Sequence, residues 1–592
     1  MKGSRLPHSL RLACSVLTFA AALSAAPVCA TTPEPTDVAA QAEATSATGN
    51  YLAGRTAAGL RDMDAAATFL RSALRAAPKE PELLDRTFRI VLASGDVEQA
   101  ANLAERVSAV DPNNRLARLT LAVRAMQSRQ YATVRTQLTP SIRGAMPDVV
   151  AALVAAWAWQ GSGDLDRALK TTDTLTGNDL IAVFRDLHAG LIAEASNNLV
   201  EAEKRLAAAH KGDSSLYATV DAYGRLLARV GKRDQALTVY RELAEKMTRN
   251  SRLQQTITSL EKGEKLPPMI SSPKEGAAEA LFTFGQLANR GESAEIGLVY
   301  LNLALHLSPQ HELGLLTLAD LQETIGQHDA AIEIYRRIPE TSSFHEDVGL
   351  RVAVNLAQSD RIPEAEQQLK TLIAEDKNDV DVIVALGNLQ HREKRYQEAA
   401  STFSQAIEAT AEPKKSDWSL FFARGVAYDV GKNWRLAEKD LQMAVDLDAE
   451  QPIALNYLGY SWVDRGKKVE QGLDLIKKAV DMRPNDGDIV DSLGWAYYRL
   501  GKYPEATTEL ERAVELKPES WEINDHLGDV YWKTDRKLEA KFQWLHALTL
   551  EIDDEKRKQI ERKLKEGLEP VEAEQMATKQ AENAPSAEPT KR

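Results

Sequence analysis

Few residues in this chain combine the type and the spacing that chemistry requires. Ser271 and Lys274 stand in "SSPK", the SxxK spacing in which a lysine amine can take the proton of a serine nucleophile. A four-residue pattern arises readily by chance in a chain of 592 residues, and this one sits in a proline-rich stretch, so it reads as linker. His306 and His311 flank Pro309 at a spacing that does not put both rings on one helical face, and they read as surface residues. Carboxylates are abundant, as in "EATTELERAVELKPE", but they fall where an exposed helix face needs charge and read as solvated. There is no HExxH, GxSxG, P-loop or GxGxxG pattern. No catalytic, cofactor-binding or metal-ligating residue is therefore assigned, and the expectation is a protein that is not an enzyme.

Binding is the chemistry left, and aromatics are its best carriers because they dominate interface hot spots. The stretch "DSLGWAYYRLGKYPEATTELERAVELKP", Asp491 to Pro518, holds Trp495, Tyr497 and Tyr498 close together. Seven of the nine tryptophans lie between Trp418 and Trp544, so one end of the chain is aromatic-rich.

The elements that would position these side chains follow from composition and periodicity. Hydrophobic residues are 44%, charged residues 27% and aromatics 6%, which suits Ala/Leu-rich helices and predicts an all-α fold. A chain this long needs several cores or a repeat array. Lys2, Arg5 and Arg11 precede the apolar run "LACSVLTFAAALSAA", and "VCA" offers small residues for cleavage after Ala30, so residues 1–30 read as a signal peptide. Export to the periplasm is the expected localisation. Both cysteines, Cys14 and Cys29, fall in that segment, and "APVC" lacks the leucine and the small residue of a lipobox, so lipidation at Cys29 is not expected. Without the segment the formal net charge moves from −13 to −16, which disfavours a nucleic-acid partner. No later stretch approaches the ~18 apolar residues of a membrane span.

Counting from Gly487 as position 1, position 7 is Leu493, 8 is Gly494, 11 is Tyr497, 15 is Gly501, 20 is Ala506, 24 is Leu510, 27 is Ala513 and 32 is Pro518. Small residues at 8, 20 and 27 let two antiparallel helices approach to about 8 Å, and bulky residues at 7, 11 and 24 fill the seam. Glycine at 15 permits the turn and proline at 32 stops the second helix. The frame recurs at Ala47, Pro81, Arg115, Val149, Val183 and Tyr217, breaks at "KGEKLPPMISSPKEG", and resumes near Ala278, Glu312, Glu346 and Val380. Four regular units follow at Trp418, Pro452, Gly487 and Trp521, with repeat-defining residues Gly425, Ala437, Gly459, Gly494, Ala506, Pro518, Gly528 and Ala540.

The pattern resembles the tetratricopeptide repeat (TPR) family. The resemblance implies an α-solenoid of about 14 helical hairpins, in two arms joined at the break. The expected organisation is a signal at 1–30, a disordered linker at 31–48, an N-terminal array at 49–261, the break at 262–276, a middle array at 277–411, a C-terminal array at 412–550, a capping helix at 551–569 and a disordered tail at 570–592.

In TPR proteins the first helix of each unit lines the concave surface, so positions 2, 5, 9 and 12 are implied to face a ligand. On the C-terminal units these include Phe422, Asn456, Tyr460, Asp491, Trp495, Tyr498, Asp525 and Trp532. Tyr497 and Tyr531, at position 11, belong to the core reading. The Lys/Asn pattern that clamps a C-terminal carboxylate in some TPR domains is absent, since position 5 carries Asn456, Asp491 and Asp525.

The function expected is a protein–protein interaction scaffold or adaptor of the bacterial envelope, with proteins or peptides as partners. The run from "IALNYLGYSWVDRG" to "DHLGDVYWKTDRKLEAKFQWLHAL" also resembles long envelope TPR proteins, a group that includes the adaptor of a carboxyl-terminal processing protease. The alternative is a periplasmic chaperone or assembly factor for outer-membrane or exported components.

Overall fold

The computed structural model describes residues 46–141, 146–247, 251–288, 294–410 and 412–574. The signal segment at 1–30, the linker as far as residue 45 and the tail from residue 575 lie outside the described residues. Within the described residues all regular structure is helical, and no helix is long and apolar enough to cross a membrane.

The expected frame is visible in the backbone. Position 15 lies in the left-handed region in thirteen units: at Arg61, Gly95, Arg129, Gly163, Asn197, Gly231, Gly326, Asp360, Lys394, Lys432, Gly466, Gly501 and Asp535. Sequence reading expected glycine there, but the turn is imposed even on lysine, arginine and aspartate, because the hairpin's packing outweighs the strain of positive φ.

Small residues sit in the seams as expected. A Cβ on Gly494 would lie 2.5 Å from Leu510 Cγ, and one on Gly425 would lie 2.9 Å from Leu441 Cγ. Gly528 lies directly against the Trp544 ring. Ala437, Ala506 and Ala540 are fully buried. The Pro452 unit is one residue longer than its neighbours, with Lys468 at φ 46° ahead of its second helix. Here Gly472 takes the place of the alanine, so close that a Cβ on Gly459 would lie 2.6 Å from the Gly472 carbonyl. Pro518 follows the helix Tyr503–Leu516, and its carbonyl accepts from Asn524 Nδ2 at 3.0 Å.

The described residues form two compact units that divide between Gln368 and Leu369, past the predicted break and not at it. In the first unit, α1 (Pro81–Ala93), α2 (Arg115–Gln127), α3 (Met146–Gly161) and α4 (Asp179–Ala195) are the first helices of successive hairpins. The break is shorter than expected. Ser272 Oγ accepts from Glu275 N at 3.2 Å while Glu275 accepts from Ser271 N at 2.9 Å, a reciprocal cap that starts α5 (Pro273–Ala288). "SSPK" is thus a helix start.

With α6 (Ala294–Leu307), α5 makes a hairpin that packs back on the N-terminal array. α5 lies on α3 and α4, and α6 lies on α1 and α2. Gly276 is pressed against the Trp157 ring, and Trp157 Nε1 donates to His188 Nδ1 at 3.1 Å. Asn302 Nδ2 donates to the Leu92 and Ala93 carbonyls at 3.2 and 2.9 Å, closing the free C-terminal end of α1. Leu119, Val123, Leu153, Trp157, Leu187 and Leu191, at positions 5 and 9 of α2, α3 and α4, are all buried. The face that would be ligand-facing there is filled by the chain itself.

This also corrects the reading of the two histidines as surface residues. His306 is half-buried beside Glu98, at 3.4 Å. His311 Nδ1 accepts from Gly314 N at 2.9 Å, capping the next helix, and its Nε2 meets the buried Glu279 at 3.0 Å.

Candidate protein-binding face

In the second unit the first helices are α7 (Val380–Arg392), α8 (Trp418–Val430), α9 (Pro452–Asp464), α10 (Gly487–Arg499) and α11 (Trp521–Lys533). Each is thirteen residues long, so positions 2, 5, 9 and 12 fall on one face at helical spacing. The helix starts are fixed locally: Asp486 accepts from Ile489 N ahead of α10, and Ser520 accepts from Ile523 N ahead of α11. Direct packing of α7 on α8, α9 on α10, and α10 on α11 makes these faces neighbours.

The eight predicted side chains have different fates. Phe422 is a correction, since it is only 4% exposed, enclosed by Trp418 and edge-on to Tyr457 with centroids 5.6 Å apart. The large aromatics at the start of α8 leave no open side for it. Asn456 Nδ2 donates to Ser492 Oγ at 3.1 Å, tying α9 to α10. Tyr460 is half-buried, and burial pushes its hydroxyl well above the ordinary range.

Asp491 is buried and pairs with His526 Nδ1 at 2.9 Å. Trp495 is half-buried between two rings, stacked on His526 at 4.1 Å and on Tyr498 at 4.8 Å. Tyr498 is buried and donates to Glu572 at 2.7 Å. Asp525 is held by Lys563 at 2.8 Å, and Trp532 Nε1 donates to Glu569 at 3.0 Å.

Tyr497, expected in the core, is half-buried and packs against two neighbouring apolar clusters, with Lys477 Nζ 5.8 Å from its ring centre, while Tyr498 is the more enclosed of the two. Tyr531 is buried as expected. Acids are not confined to solvated faces: Asp440, Asp491 and Asp529 are buried, each against a cationic side chain.

The last hairpin, α11 with α12 (Lys537–Thr549), is followed by α13 (Asp554–Glu566), shorter than the expected cap at 551–569. Lys563 of α13 is 2% exposed, and its Nζ lies 2.8 Å from both carboxylates, Asp525 and Asp529. Burial works against its charge, but the two aspartates outweigh it and raise the amine above its usual range. Residues 568–574, expected to be mostly disordered tail, are helical and fold onto α10 and α11.

Sequence reading missed polar atoms on α7. Asn388 Oδ1 and His391 Nε2, at positions 9 and 12, are shielded from solvent without a hydrogen-bond partner among the described residues. So are Asn456 Oδ1 and Trp495 Nε1, at positions 5 and 9. Among the described residues of this unit, only Trp434 Nε1 and Asn524 Oδ1, off the face, share that condition. A buried polar atom without a partner costs about 1–3 kcal/mol. Two acceptors, an imidazole nitrogen and an indole N–H on one face suit the alternating donors and acceptors of a polypeptide backbone. Applying the same four positions to the Val380 unit would have found the α7 pair. Among the described residues no group of three or more His, Cys, Asp or Glu side chains could hold a metal ion.

Residues 353–412 match the family model "Tetratricopeptide repeat" and residues 494–535 match "TPR repeat". A TPR repeat-containing protein of Pseudomonas aeruginosa is 30% identical over 162 residues, covering 26% of this chain and 26% of that protein. Human tetratricopeptide repeat protein 13 is 29% identical over 103 residues, covering 17% of this chain and 11% of that protein. The matched region thus spans about a quarter or less of either relative. Among solved structures, the Cut9–Hcn1 hetero-tetramer of APC/C is similar at 16% identity and a TM-score of 0.37, covering 84% of this chain and 98% of that one. Yeast Tom70 is similar at 14% identity and a TM-score of 0.30, covering 91% and 99%. Residues 353–412 and 494–535 thus resemble tetratricopeptide repeats, a fold that generally mediates protein–protein interaction.

Proposed function

We propose that this tetratricopeptide-repeat chain is a non-enzymatic scaffold that binds a partner polypeptide on the first-helix face of residues 380–499. The observation that carries this reading is the set of buried, unpartnered polar atoms on Asn388, His391, Asn456 and Trp495, all at ligand-facing positions of that face. The corresponding face of α2–α4 is filled by the α5–α6 hairpin and is closed to a partner. Partners are proteins or peptides; the acidic charge argues against nucleic acid.

The basic and apolar pattern of residues 1–30 supports export, and with it a site of action in the bacterial periplasm. The finer reading is an adaptor that brings substrates to a periplasmic protease; it rests on the resemblance of the C-terminal repeats to those of long envelope TPR proteins. Affinity purification of the chain from envelope extract tests this. A stable stoichiometric complex with a protease is the expected result, and a varied set of unfolded envelope proteins would replace the adaptor reading with a chaperone.

A further inference from the structure

The segment after α13 occupies the first-helix face of the last two hairpins in the manner of a bound peptide. Gly567, at φ 87°, turns the chain back against the Trp532 ring. Leu568 is then buried, 1% exposed, in the cluster that holds Tyr498, Tyr531 and Trp544, and Val571 is 2% exposed. Between these anchors the acids meet donors: Glu569 accepts from Trp532 Nε1 at 3.0 Å, and Glu572 accepts from Tyr498 Oη at 2.7 Å and Lys533 Nζ at 2.6 Å. Tyr498 and Trp532 are the position-12 residues of α10 and α11, the row that faces ligands in a repeat of this kind.

The receiving site is specific to this end. Lys533, one residue past position 12, meets Glu572, while its counterpart Arg499 in α10 meets Asp464 at 3.5 Å and the counterpart in α9 is Asp464 itself. A helical stretch as short as 568–574 does not hold its shape alone in water, so it is helical because it is docked. By contrast Lys563 locks α13 beneath it through two buried carboxylates, so the glycine separates a fixed helix from a docked one.

We propose that the α10–α11 face is a receptor for a short helical segment carrying the pattern apolar–acidic–x–apolar–acidic, which this chain supplies to itself as Leu568–Glu572. A partner presenting the same pattern displaces the chain's own segment. The inference rests on the scaffold reading and concerns Tyr498 of α10 together with α11, adjoining at α10 the face proposed above for residues 380–499.

The test uses the full chain and a fluorescein-labelled peptide of residues 567–574, GLEPVEAE. In the native chain the face is filled and the peptide binds weakly. In the E569K/E572K chain, where Lys533 repels the resident segment, binding is expected to be at least tenfold tighter, and adding Lys533→Glu is expected to abolish it. Hydrogen exchange on the native chain guards against a variant that fails to fold: amides of 568–574 are expected to exchange before those of α11 and α12. Equal weak binding to native and variant chains of unchanged helicity, or exchange of 568–574 only together with α11 and α12, would overturn the proposal. No partner is needed in this assay, so its failure alongside a successful affinity purification sinks this inference alone.

Discussion

Replacing Lys563 by alanine is expected to destabilise the last hairpin by about 3–5 kcal/mol, the cost of leaving buried carboxylates without their counter-ion. Lys563 Nζ touches all four oxygens of Asp525 and Asp529 at 2.8 Å, and Asp529 also accepts from Trp544 Nε1 at 3.0 Å. Burial pushes the Asp529 carboxyl upward, and the lysine opposes that shift, so its loss would leave a carboxylate with only the indole donor. The triple variant K563M/D525N/D529N removes the charges together and is expected to recover much of the loss. A repeat array need not unfold as one unit, so local hydrogen exchange across residues 521–566 is the measurement. Exchange unchanged in Lys563→Ala would show that the aspartates are solvated in solution.

The second large effect is a dependence on pH. For His526, burial favours the neutral ring, but the Asp491 carboxylate at 2.9 Å outweighs it and raises the imidazole from 6.5 to about 9. A folded-state pKa above the unfolded one means the proton stabilises the fold. That contribution is fully present below pH 6.5 and is lost as pH rises through about 9. The shift corresponds to roughly 3 kcal/mol. His526→Gln should therefore weaken the last two hairpins below pH 6.5 and make little difference above pH 9, read by denaturant unfolding of both chains across that range. A penalty independent of pH would assign His526 a packing role alone, through its stacking on Trp495.

What could be read from the sequence is the repeat, because its causes are local. Glycine or alanine stands at positions 8 and 20 of nearly every unit, Phe88 and Val134 being exceptions, and the left-handed residue stands at position 15 even where the side chain is Lys432 or Asp535. What could not be read depends on segments distant along the chain. The α5–α6 hairpin looks like one more unit, and only the tertiary fold shows Asn302 closing α1 from 209 residues away.

The same holds for the candidate site. Tyr498 and Trp532 bond to Glu572 and Glu569, which lie in a stretch too poor in apolar residues to announce a docked helix. Lys563 is one of several lysines in "EKRKQIERKLKE", and nothing in that string marks it as the buried one. Phe422 went the other way because position within a helix fixes direction, while exposure depends on the size of the neighbours, here Trp418 and Tyr457.

Site-specific photocrosslinking tests the central claim most directly. A photoreactive residue at position 388 or 456, on the proposed face of the second unit, is compared with one at Arg89, exposed at position 9 of α1 in the first unit. The account predicts that a co-purifying partner crosslinks from 388 and 456 and not from 89. Crosslinks concentrated at 89, with none from 388 or 456, would contradict it.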